Sequence, residues 1–185
     1  MNLPASLEGR ERARLFCALR LPDAALETLS AWQQRHLDGG RMVPRDHLHL
    51  TLAFLGHRPV QELEPIAGAM CTAAAGAAPI SFVPERYRET RSVGMLVLSD
   101  LGGAATALAE DIFGRLEGLG VYERERRVWL PHVTVLRFRR PPRLRPPLPE
   151  LGEVVPSDAA VFLSQLHPSG ARYVVLESFA LGGAQ

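Results

Sequence analysis

The sequence is poor in cysteine and contains no lysine and no long apolar segment. Its two cysteines, Cys17 and Cys71, lie in apolar runs and match no metal-binding or redox spacing, so we expect both to be buried in a protein of a reducing compartment. No apolar run approaches the roughly 20 residues that a membrane-spanning helix needs. The first residues are charged where a signal peptide would be apolar. These absences predict a cytoplasmic protein with no membrane partner.

Charge of either sign is nearly balanced. The 21 basic and 20 acidic residues leave a formal net charge of +1, which predicts no bulk attraction to nucleic acid or to a membrane surface. The basic residues are all arginine, and they crowd the stretch from Arg124 to Arg145. Arginine favours bidentate contacts with phosphate, although the codon bias of a GC-rich genome explains the same composition.

The length and composition are those of one ordinary globular domain. The chain has 185 residues, of which 46% are hydrophobic and 22% are charged, and this balance excludes an intrinsically disordered protein. We predict a single domain over residues 14–185. Residues 1–13 are predicted to be an N-terminal extension that need not be ordered.

Hydrophobic periodicity predicts strands that alternate with helices. The predicted strands cover residues 14–20, 47–55, 80–83, 94–98, 129–138, 160–166 and 171–181. The predicted helices cover residues 24–37, 60–75 and 104–119. We expect a turn-rich segment between the third and fourth strands, a surface loop over the proline-rich residues 139–156, and a hairpin turn at residues 167–170. The predicted fold class is therefore α+β.

A short pattern occurs twice, each time inside a predicted strand. His49-Leu-Thr51 and His132-Val-Thr134 both read histidine, apolar residue, threonine, and both continue with apolar residues. A strand and a helix precede each copy. This repetition predicts two similar lobes within one chain.

The repeated pattern places an imidazole beside a hydroxyl group. Side chains alternate between the two faces of a strand, so His49 and Thr51 share one face, and His132 and Thr134 do the same. If a pseudo-twofold axis relates the lobes, the two pairs face each other across a cleft. Two imidazoles can then serve as general acid and general base near neutral pH, while the threonines donate hydrogen bonds to phosphate oxygens.

Other interpretations of these residues have weaker support. A single His-x-Thr in a strand occurs by chance, but two copies in matching contexts are harder to attribute to it. His47 lies two residues before His49, so a metal-binding pair is conceivable, yet zinc needs three or four ligands and no third donor stands at a suitable spacing. The sequence contains no nucleophile elbow and no glycine-rich phosphate loop. We therefore expect no metal and no cofactor.

The two patterns and their flanks resemble the two-histidine phosphoesterases, and within them the RNA 2′,3′-cyclic phosphodiesterases, also called 2′–5′ RNA ligases. The residues that carry the resemblance are Arg14-Leu-Phe-Cys-Ala-Leu19, His47-Leu-His-Leu-Thr-Leu-Ala-Phe-Leu-Gly56, Arg127-Val-Trp-Leu-Pro-His-Val-Thr-Val-Leu-Arg137 and Ser164 with Gly170-Ala-Arg-Tyr173. The similarity extends from about Arg14 to Leu181.

The resemblance implies a bilobal α+β fold, in which two pseudo-symmetric lobes of antiparallel sheet carry helices outside and enclose a cleft. It implies hydrolysis, without a metal, of a terminal 2′,3′-cyclic phosphate to a 2′-phosphate, with reversible 2′–5′ ligation as a side activity. By the same resemblance, His49 is the proton donor to the leaving 3′-oxygen, His132 is the proton acceptor from water, and Thr51 and Thr134 bind the phosphate.

The substrate is less narrowly defined than the chemistry. We expect a monomer that acts on RNA 3′ ends or small cyclic nucleotides, with Arg127 and Arg137 as the arginines that contact the substrate, although a solvated arginine on a loop explains either one equally well. Two alternatives stay open: a hydrolase of another cyclic or 2′–5′ phosphodiester, such as ADP-ribose cyclic phosphate or 2′–5′ oligoadenylate, and a non-catalytic module that binds RNA ends.

Overall fold

The computed structural model describes residues 5–167 and 170–182. Within these residues the strands are β1 (Arg12–Arg20), β2 (Arg41–Met42), β3 (His49–Pro59), β4 (Ser81–Glu89), β5 (Val93–Leu101), β6 (His132–Arg137), β7 (Asp158–His167) and β8 (Gly170–Phe179). The α-helices are α1 (Asp23–His36), α2 (Leu63–Ala75) and α3 (Ala104–Gly118), and single 3₁₀ turns cover Ala5–Leu7, Arg45–His47 and Val60–Glu62. No helix in the described ranges is both long enough and apolar enough to cross a membrane.

The strands form one curled antiparallel sheet in the order β4-β5-β6-β3-β1-β7-β8. Strand β6 and strand β3 are neighbours at its centre, where Leu50 pairs with Val133. The short strand β2 pairs with the last two residues of β6, on the side of β6 opposite to β5. The α+β fold class is confirmed, and the two lobes are two groups of strands that meet where the two His-x-Thr strands adjoin.

The helices cover one face of this sheet and bury its aliphatic side chains. Residues that follow the pattern histidines, such as Leu50 and Val133, have at most 1% of their surface exposed. They belong to one apolar core with side chains from all three helices, including Leu29, Ile66 and Ile112. Strand alternation then turns both histidines and both threonines to the opposite face.

Helix α1 is fastened to the sheet by a buried glutamine that the periodicity analysis did not single out. The side chain of Gln33 is 2% exposed, and its amide nitrogen donates to the carbonyl of Val43 at 3.0 Å and to that of Val135 at 2.7 Å. Since a buried polar group needs partners, this amide holds α1 against β6, next to the second pattern.

Strand β3 changes phase shortly after the first pattern. In its pairing with β1, Thr51 lies opposite Ala18 and Ala53 lies opposite Cys17, so that Leu52 is an extra residue in a β-bulge. A bulge shifts the alternation of side chains by one position. Ala53 accordingly packs in the core, whereas Phe54 faces the same side as Thr51 and is 48% exposed.

Several boundaries differ from the predictions. Strand β1 begins at Arg12 rather than residue 14, and Leu7, within the segment assigned to the extension, is fully buried in the core. The prediction of a turn-rich segment after residue 83 is wrong, because β4 continues to Glu89. The strand accommodates Pro84 beside a shift in its register with β5. Strand β6 begins only at His132, since Pro131 has no N–H to donate to a ladder.

Two further predictions concern single features. Cys17 is buried, and burial raises the pKa of its thiol to about 12, but Cys71 is exposed, so its predicted burial is wrong. Cys71 follows the buried Met70 and lies on the outer face of the alanine-rich helix α2. The hairpin turn predicted at residues 167–170 includes two residues outside the described ranges, while β7 and β8 pair on either side of it.

Candidate active site

The two His-x-Thr pairs come together on the face of the sheet that the helices leave open. His49, Thr51, His132 and Thr134 all line one cavity of about 920 Å³. The pairing of Leu50 with Val133 explains the arrangement. In an antiparallel register, the neighbouring positions place His49 across from Thr134 and Thr51 across from His132. The expected meeting of the two motifs in one cleft is confirmed.

Both imidazole rings are oriented by the same backbone contact. The Nδ1 atom of His49 lies 2.8 Å from the carbonyl oxygen of His47, and the Nδ1 atom of His132 lies 2.8 Å from that of Leu130. A carbonyl oxygen only accepts hydrogen bonds, so each Nδ1 carries a hydrogen. The Nε2 atoms are therefore the positions at which either ring gains or loses a proton.

The first motif has two additional contacts. The Nε2 atom of His49 lies 3.1 Å from the hydroxyl oxygen of Thr51, and the indole N–H of Trp129 donates to the backbone carbonyl of Thr51 at 3.0 Å. Trp129 precedes the second motif by three positions. This hydrogen bond thus joins the segment that leads into His132 to the strand that carries His49.

Aromatic side chains surround His49. Its ring centroid lies 5.0 Å from that of Phe16, 5.8 Å from that of Phe162 and 5.6 Å from that of Tyr173. Burial among these rings lowers the pKa of His49 to about 4, and repulsion from His47, His132 and Arg137 acts in the same direction, against the hydrogen bond to the His47 carbonyl. Burial therefore favours the neutral form of His49 at pH 7.

The cleft is strongly cationic although the whole chain is nearly neutral. Among its described lining residues are four arginines, Arg14, Arg41, Arg137 and Arg172, and no aspartate or glutamate. Arg14 is held in place on β1, because its guanidinium donates to the hydroxyl of Ser164 at 3.0 Å and lies 4.6 Å from the ring centroid of Phe54. An anion of the size of a phosphate group is the ligand that such a cavity favours.

The candidate residues divide into those inside and those outside this cleft. The four motif residues and Arg137 line it, whereas Arg127 lies outside it with its side chain 89% exposed. The sequence analysis missed Arg14 and Tyr173 as residues of the cleft. Strand alternation places Arg14 and Phe16 on the same face of β1, which was the available signal.

The metal interpretation of His47 gains no support from its position. His47 lies in a 3₁₀ turn before β3, and its ring packs 4.5 Å from that of Tyr173. Among residues 5–167 and 170–182, no three histidine, cysteine, aspartate or glutamate side chains cluster in a way that could hold a metal ion.

Comparison with known proteins shows the family of the chain. Residues 19–88 match the family model described as LigT-like phosphoesterase. The RNA 2′,3′-cyclic phosphodiesterase of Thermus thermophilus is 32% identical over 188 residues, which cover 92% of this chain and 91% of the relative. The chain is a LigT-like phosphoesterase. It belongs to the same family as the RNA 2′,3′-cyclic phosphodiesterases, as its motifs predicted.

Solved structures of LigT-like phosphoesterases share the fold. The crystal structure of the Thermus thermophilus protein TT0787 has a TM-score of 0.79 and 30% identity, over 93% of this chain and all of that one. The crystal structure of Escherichia coli LigT complexed with NADP⁺ has a TM-score of 0.78 and 26% identity, over 93% of this chain and 99% of that one. The LigT-like curled sheet is thus complete in this protein.

Proposed function

We propose that this LigT-like phosphoesterase hydrolyses the 2′,3′-cyclic phosphate at an RNA 3′ end to a 2′-phosphate, by general acid–base catalysis between His49 and His132. The observation that carries the proposal is the mutual placement of the two motifs. Each Nδ1 is held by a backbone carbonyl, which leaves Nε2 as the atom for proton transfer, and each histidine lies across from the threonine of the other motif in a cationic cleft. The activity of the Thermus thermophilus relative supports the choice of substrate.

The reaction needs one proton taken from water and one given to the leaving group. His132 accepts a proton through Nε2 as the oxygen of a water molecule forms a bond to phosphorus. The bond from phosphorus to the 3′-oxygen breaks, and His49 donates its Nε2 proton to that oxygen. A positioned acid or base of this kind contributes about 10²–10⁴-fold to the rate. With an RNA 5′-hydroxyl in place of water as the attacking group, the same steps give a 2′–5′ linkage.

His49 has to acquire the proton that makes it an acid, because burial favours its neutral form. The anionic cyclic phosphate supplies the reason for proton uptake. A negative charge beside an imidazole favours the charged form, so the bound substrate promotes the uptake of a proton from solvent by His49. Once Nε2 is protonated it no longer accepts from the hydroxyl of Thr51, which lies 3.1 Å away, and this hydroxyl becomes free to donate to a phosphate oxygen.

The other polar side chains of the cleft stabilise the phosphate. Thr51 and Thr134 donate hydrogen bonds to its non-bridging oxygens, and Arg137 offsets the negative charge that grows on them during attack. Arg137 is close enough for its charge to lower the pKa of His49, which places the guanidinium beside the reacting group. The acid, the base and the oxyanion donors are all side chains of the protein, so we expect no dependence on a metal ion.

A panel of substrates tests the function. A mononucleoside 2′,3′-cyclic phosphate, a short RNA ending in that group, a 2′–5′ dinucleotide and ADP-ribose cyclic phosphate are assayed together, each with and without EDTA. We expect hydrolysis of the first two to the 2′-phosphate, undiminished by EDTA. If the enzyme prefers the 2′–5′ dinucleotide or ADP-ribose cyclic phosphate, it is a hydrolase of that phosphodiester instead. Binding without turnover of any of them identifies a binding module, and activity lost in EDTA and restored by a divalent ion contradicts the mechanism.

A further inference from the structure

A second cavity adjoins the catalytic cleft, and the mechanism above does not use it. It measures about 570 Å³, within the range of roughly 300–1,000 Å³ that is typical of small-molecule sites. Thr51, Phe54 and His132 line both cavities. A ligand whose phosphate lies between the two motifs can therefore continue directly into this second space.

The walls of the second cavity combine aromatic rings with arginines. Trp129 contributes an indole whose N–H is already bonded to the Thr51 carbonyl, so its ring is held in a fixed position. Tyr122 and Phe113 stack on each other nearby, with centroids 5.3 Å apart. Val128, also in this wall, is 85% exposed. Aromatic and apolar surfaces of this kind are where unstacked nucleobases bind.

Two arginines of this cavity, Arg88 and Arg127, are available to bind a phosphodiester. Arg124 is paired with Glu110 and Glu117. Arg88 forms no ion pair with any residue in the described part of the chain, and the nearest carboxylate oxygen to Arg127, from Glu125, is 3.9 Å away and largely exposed. A guanidinium without a close carboxylate is free to bind the phosphodiester of a nucleic-acid strand.

We propose that the second cavity binds the nucleotide on the 5′ side of the one that carries the cyclic phosphate, with its base against Trp129 and its phosphodiester held by Arg88 and Arg127. This inference rests on the proposed function and narrows it, because it makes an RNA end, rather than a free cyclic nucleotide, the substrate that fills the site. The cavity can contribute to binding only when a second nucleotide is present.

The double variant R88A/R127A tests this assignment, with R35A as the matched control. Arg35 is an exposed arginine on α1 that lines neither cavity. For a short RNA ending in a 2′,3′-cyclic phosphate, we expect the double variant to raise KM roughly 10-fold. The slope of log KM against log salt concentration should fall by about 1.4, the value for two lost single-strand contacts. For the mononucleoside cyclic phosphate, both variants should match the wild type.

Binding of the reaction product gives a second measurement that does not depend on turnover. A short RNA ending in a 2′-phosphate should quench the fluorescence of Trp129, because its second nucleotide binds against this ring. A mononucleoside 2′-phosphate has no second nucleotide and should not. The other tryptophan, Trp32, is buried and contributes a constant background. Equal effects of R88A/R127A on the short and the single-nucleotide substrates, or no effect on either, would overturn the assignment and leave the proposed function intact. A wild type that cleaves neither substrate would instead refute the proposed function.

Discussion

His49 and His132 occupy equivalent positions in the two halves of the sheet but have unequal surroundings. Each donates through Nδ1 to the carbonyl two residues before it, at the same distance of 2.8 Å. Around His49, however, three aromatic rings lie within 6 Å of its centroid. No such ring contact involves His132 in the ranges that the structure describes, and its half is instead supported from behind by the buried amide of Gln33.

The difference teaches that a repeated motif can place two groups alike and still give them different chemistry. The backbone decides where each Nε2 points, and this property is shared. The neighbouring side chains decide how readily a ring is charged, and burial among aromatic side chains lowers the pKa of His49. A lowered pKa alone would suit a base, so the donor role proposed for His49 requires that the anionic substrate favour its charged form.

The largest effect should come from removing the histidines one at a time. We expect H49A and H132A each to lower kcat/KM for an RNA 2′,3′-cyclic phosphate by about 10²–10⁴-fold, while H36A, at the exposed end of α1, leaves it unchanged. A nitrophenyl phosphodiester needs no proton on its leaving group, so H49A should recover part of its activity on it and H132A should not.

Steady-state kinetics of the three variants on both substrates make this measurement. If H132A instead of H49A recovers activity on the nitrophenyl phosphodiester, the proton-donor and proton-acceptor roles are exchanged and the acid–base mechanism still holds. Full activity of both variants would end the acid–base proposal.

The support behind the second motif should be the next largest effect. The variant Q33L removes the side-chain donor to the carbonyl of Val43 and one of the two donors to the carbonyl of Val135, which also accepts from the N–H of Val43 at 3.0 Å. We therefore expect a loss of about 1–3 kcal/mol in the free energy of unfolding. Q34L is the matched control, because Gln34 is exposed on the same helix. Urea unfolding followed by circular dichroism compares the two. An equal stability of Q33L and Q34L would show that the amide does not anchor α1.

A bound anion should shift the titration of His49. In the free protein the pKa of His49 is about 4, and a sulfate ion between the motifs should raise it by roughly one unit, since one close opposite charge is worth about that much. Protonation then accompanies binding, so sulfate affinity should increase as the pH falls from 7 towards 4.

Imidazole chemical shifts in an NMR titration, recorded with and without sulfate, report the pKa directly. Sulfate keeps its double charge over this pH range, so any change in its affinity with pH arises from groups of the protein. An affinity that is constant with pH, together with an unmoved His49 resonance, would contradict substrate-induced protonation.

The smallest effect should come from the link between the motifs. W129F keeps a ring but removes the N–H that holds the Thr51 carbonyl, and we expect kcat/KM for a mononucleoside cyclic phosphate to fall roughly 5-fold, the worth of about one hydrogen bond. W32F is the control, because its lost bond, to the carbonyl of Pro147, is remote from the cleft. It should affect stability and not kcat/KM. Identical kinetics of W129F and the wild type would remove Trp129 from the positioning of the site.

Much of the site could be predicted because strand alternation is a local rule. The placement of His49 beside Thr51, and of His132 beside Thr134, follows from spacing by two residues, and the repetition predicted that the pairs would meet. Phe54 could not be placed in this way, because the bulge at Leu52 reverses the alternation. Arg127 and Arg137 looked equivalent beside the second motif, yet only Arg137 lines the cleft.

The family, the α+β class and the four residues that the catalytic proposal requires can be predicted from the amino-acid pattern, because each depends on a local pattern or on resemblance. The charge of the cleft and the lowered pKa of His49 follow from the folded arrangement alone. Four arginines from four separate strands converge on one cleft in a protein of net charge +1. Phe16, Phe162 and Tyr173 come from three different strands, and desolvation depends on which side chains the fold brings together, whatever their distance along the chain.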